Sequence, residues 1–69
     1  SLTEMAYYAD DDAVYEAATG ILDLLREHDA VGIFHLSEEV HEAATLDRFR
    51  GLFDGVIDLD GDGNVTIDY

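Results

Sequence analysis

Val56-Ile57-Asp58-Leu59-Asp60-Gly61-Asp62-Gly63-Asn64-Val65-Thr66-Ile67-Asp68-Tyr69 is the stretch on which the fold turns. Val56, Ile57 and Leu59 form one short apolar run. Val65, Ile67 and Tyr69 form another, alternating with Thr66 and Asp68. Between them lies a cluster of Asp, Gly and Asn. Alternation on both sides of such a cluster predicts a β-hairpin, because Gly and Asn reach the positive φ that a tight turn requires. Gly55 separates this unit from what precedes it.

Upstream, the pattern is helical. Val14, Ala17, Ala18, Ile21, Leu22 and Leu25 recur as one apolar stripe at helical spacing. Asp10, Asp11 and Asp12 supply a capping carboxylate and anions at the positive end of the helix dipole. Arg26 and His28 supply cations at the other end. Leu46, Phe49, Leu52 and Phe53 give a second helix its apolar face, starting between Glu38 and Ala43 behind a Ser37 start signal. Val31-Gly32-Ile33-Phe34-His35-Leu36 is a short unbroken apolar run, which predicts a strand buried on both faces. Leu2–Ala9 is apolar and aromatic, and suits a short strand or a docking segment. The order (β)-α-β-α-β-β predicts a small α/β two-layer sandwich with a C-terminal β-hairpin, one domain over 1–69. Its sheet is expected to combine Val31–Leu36 with Val56–Tyr69, under the two helices.

Charge describes the solvent. Seventeen Asp and Glu face three Arg and no Lys, for a formal charge of -14 on 69 residues. Such a charge strains a folded state by self-repulsion, and molar salt relieves the strain by shortening the Debye length to about 3 Å. An apolar fraction of 48% shows that acidity has not displaced the core. The composition is that expected of a halophile's cytoplasmic protein. Nucleic acid and anionic membranes are disfavoured as partners, since both select clustered Lys and Arg. No apolar run is long enough to span a bilayer, and the first residues have no signal-peptide pattern. The first residue is Ser1, and the chain reads as a processed or excised piece of a longer protein.

Few constellations suggest chemistry. Asp58, Asp60 and Asp62, followed by Gly63 and Asn64, resemble the start of an EF-hand calcium loop. The twelfth loop position, however, is Tyr69 rather than an acid, and no helices flank the loop. A hairpin turn is the preferred reading, with weak cation binding at Asp58, Asp60 and Asp62 as the metal alternative. His35 and His41 match no metal-ligand spacing, and His28 is explained by the helix dipole. There is no nucleophile elbow, and without Lys no Walker A loop. Neither catalytic residues nor a cofactor are expected. Tyr7 and Tyr8 are the candidate partner-binding residues, because Tyr is enriched at interfaces.

Several segments carry a likeness. Ser1-Leu2-Thr3-Glu4-Met5 resembles the segment after the Walker B strand of haloarchaeal KaiC/RecA-like P-loop ATPase domains. Leu24-Leu25-Arg26-Glu27, Val31–Leu36, Thr45-Leu46-Asp47-Arg48-Phe49 and Leu52-Phe53-Asp54-Gly55-Val56-Ile57-Asp58-Leu59 are similar to later elements of that family. The resemblance implies the C-terminal part of such a domain, with Walker A and Walker B absent and no catalytic residue to carry over. The expected role is a non-catalytic regulatory or protein-interaction module, whose partner is another protein or the missing part of its own chain. The alternatives are a calcium or cation module centred on 58–69, and the C-terminal part of a KaiC-like ATPase.

Overall fold

A computed structural model describes all 69 residues. In chain order these form α1 (Leu2–Met5), α2 (Asp11–Glu27), a 3₁₀ turn (Glu38–Val40), α3 (Ala43–Arg50), β1 (Val56–Leu59) and β2 (Val65–Asp68). Helices and a two-stranded antiparallel sheet at the C-terminus make this a small α/β domain.

The long helix starts where a carboxylate can cap it. The Asp10 side chain accepts from the Ala13 N–H at 2.8 Å, and Asp11 and Asp12 occupy the first turn. Arg26 lies in the last turn, and the His28 N–H closes the end on the Leu24 carbonyl. Only half of the apolar stripe is covered. Val14, Ala18 and Leu22 are buried, whereas Ala17 and Ile21 face outward.

Leu2–Ala9 is not a strand. Ser1 caps α1 by accepting from the Glu4 N–H at 3.2 Å, and the Ala6 N–H donates to the Leu2 carbonyl. A single capped turn thus satisfies locally the backbone that a strand would need a neighbour to satisfy. Nor is Val31–Leu36 a strand. No chain lies alongside it in a ladder, since β1 pairs with β2 alone. It is covered on one face rather than two. Phe34 and Leu36 pack on the core, while Val31 and Ile33 stay exposed. The sheet expected to join it to the hairpin is therefore absent. Ser37 does not cap α3. Its side chain makes no capping bond, and its N–H donates to Thr3 Oγ1 at 2.8 Å.

The core is small. Leu2, Val14, Ala18 and Phe49 form its centre, with Tyr15, Phe34, Leu36, Leu52 and Phe53 packed around them. Phe49 meets Tyr15 edge-on at 5.8 Å, and Phe34 lies 5.3 Å from Phe53, separations at which aromatic pairs attract. Arg48 lies 4.3 Å over the Tyr15 ring and pairs with Asp12, joining α3 to the start of α2. Only five residues are buried. The radius of gyration of 12.5 Å exceeds the roughly 11 Å of a compact chain this long.

The hairpin register pairs Val56 with Asp68, Ile57 with Ile67, Asp58 with Thr66 and Leu59 with Val65. Its turn is built on Asp60. Asp60 Oδ1 accepts from the N–H groups of Asp62 and Asn64, both at 2.9 Å, and Oδ2 accepts from the Asn64 side-chain amide at 3.0 Å. Gly63 takes φ 83°, a conformation open to Gly at no steric cost.

Candidate functional site

The three aspartates proposed as a metal set do not converge. Asp58 accepts from both Arg50 nitrogens, at 3.1 and 3.4 Å. Asp60 is engaged by the turn. No group of three or more His, Asp or Glu side chains is placed to hold a metal ion. Asp58 is engaged by Arg50 and Asp60 by its own turn. The turn reading of 58–69 accounts for these contacts within the chain itself.

Arg50 also reaches Glu38 at 2.9 Å, so one guanidinium bridges the 3₁₀ turn, α3 and β1. Two carboxylates on one cation divide a proton unequally. Glu38 is raised above the ordinary Glu range by its hydrogen bond to Asp58 and by the charge of Asp58. Asp58 falls below the Asp range through that same bond, with Arg50 adding to the shift.

Asp60 is likewise lowered, chiefly by the Asn64 side chain and then by the backbone N–H groups of the turn. A depressed native pKa contributes stability that is present above the unfolded value and lost as pH falls through the native one. The turn should accordingly loosen in acid, starting below about pH 4. Asp60→Ala should loosen it at every pH. Contacts between Ile57 and Ile67, followed by NMR, should fade with acid in the parent protein and be weak throughout in the variant.

All three arginines are paired inside the molecule: Arg26 with Asp54, Arg48 with Asp12, and Arg50 with Glu38 and Asp58. The outward surface is left strongly anionic. Tyr7 and Tyr8 are exposed beyond α1. Tyr7 borders a cleft of about 450 Å³ with Thr3, Asp11, His41, Glu42 and Thr45. Thr3 Oγ1 accepts from the Ser37 N–H and lies 3.0 Å from His41 Nε2. The Thr3–His41 hydrogen bond holds His41 as part of the scaffold. His35 contributes its carbonyl, which accepts from the Leu2 N–H at 3.0 Å.

One uncovered apolar face was expected from the sequence to lie inside the fold. Residues directly opposite in an antiparallel ladder share a face. The register thus puts Ile57, Leu59, Val65 and Ile67 together on one side of the hairpin. They are 67, 71, 58 and 55% exposed. Asp58 and Thr66 lie on the other side, where Asp58 ties the hairpin to Arg50. Alternation identified the face, but only tertiary structure shows that nothing covers it.

No helix is long and apolar enough to cross a membrane. No curated protein and no solved structure matches the chain. A family model matches residues 1–69 along their whole length, and the chain belongs to that family, a family of unknown function (DUF7090).

Proposed function

We propose that this domain is a non-catalytic regulatory or protein-interaction module of a halophilic archaeal protein, working in a high-salt cytoplasm. The observation that carries the proposal is the four-residue apolar face Ile57, Leu59, Val65 and Ile67, which lies open to solvent on a strongly anionic molecule. Contiguous exposed apolar surface marks interaction sites, and Tyr7 and Tyr8 add aromatic surface at the other end of the chain. The partner is another protein.

A second reading is the C-terminal part of a KaiC/RecA-like ATPase domain. It is favoured by the same open hairpin together with the unladdered Val31–Leu36 segment, both of which a larger sheet would cover. One experiment addresses both. A photo-crosslinker at Ile67, installed in source cells, should yield one discrete adduct, whereas one at the solvent-facing Glu16 should not. An adduct to a separate polypeptide supports the first reading. Crosslinks into a longer version of the same chain support the second. Identical diffuse labelling from both positions contradicts both.

A further inference from the structure

We propose that the hairpin is a hinged arm, and that Arg50 is the latch fixing its orientation on the helices, with Glu38 competing for the same guanidinium. That the latch aims the open face of Ile57, Leu59, Val65 and Ile67 rests on the interaction reading above; the latch itself does not.

Of all the hydrogen bonds and ion pairs in the molecule, only those from Arg50 to Asp58 join residues 56–69 to residues 1–55. No residue of 56–69 belongs to the core or packs against it. The hairpin is therefore tied to the body, beyond its own chain connection, by one arginine.

Just before the arm the chain is pinned. Leu52 and Phe53 pack on the core, and Arg26 donates to the Leu52 carbonyl at 3.2 Å and to Asp54 at 3.4 Å. Gly55 alone separates Asp54 from the first residue of β1, and a residue without a side chain leaves the backbone the widest choice of direction. A permissive residue at the end of an element, next to a pinned segment, is a place where a hinge can absorb rotation.

The latch is contested. Arg50 Nη2 donates to Glu38 Oε1 at 2.9 Å and to Asp58 Oδ1 at 3.1 Å, while Nη1 donates to Asp58 Oδ2 at 3.4 Å. One nitrogen thus serves the 3₁₀ turn and the arm together. Two carboxylates drawn to one cation repel each other, so Glu38 weakens the hold on Asp58. The Arg50 and Asp58 side chains are 39 and 33% exposed, and ion pairs open to solvent are weak enough to break and re-form.

The test is NMR on the full chain in molar KCl, with residual dipolar couplings of the hairpin compared with those of α2. Asp58→Asn and Arg50→Gln should each release the arm: the hairpin couplings should fall by about two-fold or more against those of α2, while contacts between Ile57 and Ile67 persist. Glu38→Gln should do the opposite and raise the hairpin couplings above those of the parent protein. Asp58→Asn and Glu38→Gln each remove one negative charge, so relief of net repulsion moves both alike, whereas a contested latch moves them apart. Changes in the same direction, or none in Asp58→Asn, would overturn the latch and leave the interaction reading standing. Loss of the Ile57–Ile67 contacts in both Asp58→Asn and Arg50→Gln would also overturn it, because the cluster would then hold the hairpin together rather than aim it.

Discussion

Phe49→Ala should unfold this domain. Phe49 is 2% exposed and sits at the centre of the core, where α3 packs it against Tyr15 of α2. Truncating a buried Phe costs about 3–5 kcal/mol, through lost transfer energy and the cavity left behind. At about 0.05–0.15 kcal/mol per residue, a chain this long has roughly 3–10 kcal/mol in all. With only five residues buried, the lower end of that range applies and little core remains to absorb the loss. Urea titration in molar KCl should show a native baseline for the parent protein and none, or only a remnant, for the variant. Tyr8→Ala, at a side chain 92% exposed, should stay within about 0.5 kcal/mol of the parent. Equal midpoints for Phe49→Ala and the parent protein would show that the core lies elsewhere.

The second large effect is that of salt. The domain should lose its helical circular dichroism as KCl falls from molar to about 0.1 M. Over that range the Debye length grows from about 3 Å to about 10 Å, so carboxylates that ignored one another begin to repel. Seventeen acids face three arginines, and each arginine already serves local carboxylates. No cation is left to offset the remaining charge, and a core this small has little to oppose it. Sucrose in place of KCl should fail to restore the signal, because it strengthens burial without screening charge. A spectrum that does not change between the two salt concentrations would contradict the assignment to high salt.

What was legible in the sequence was what local residues decide alone. The helix Asp11–Glu27 could be read because its cap, its charged ends and its stripe all lie within its own residues. The hairpin could be read because Asp60, Gly63 and Asn64 carry their own turn chemistry. Val31–Leu36 has the composition of a strand, but a strand exists only with a neighbour, and composition does not supply one. At Leu2–Ala9 the aromatic content outweighed the single Ser1 cap that sets a four-residue helix. The second helix was expected to carry Leu52 and Phe53. It ends at Arg50, and both residues still reach the core from the following turn. At Asp58 the end of α3 brings Arg50 against the carboxylate, a contact no spacing rule announces. The open apolar face of the hairpin was hidden for the converse reason. Its alternation was plain, but a pattern that predicts a buried face looks the same when nothing else in the fold covers it.

The most direct test of the interaction account is amide exchange across Ile57–Ile67, measured in molar KCl on the isolated chain and again in an extract of its source cells. An isolated two-stranded hairpin is marginally stable at best, so these amides should exchange fast on their own. In the extract they should slow by about ten-fold or more, while the amides of the α2 core turns around Val14 and Ala18 keep their rates. Hairpin exchange that is equally fast in both conditions would mean that nothing covers this face, and would contradict the account.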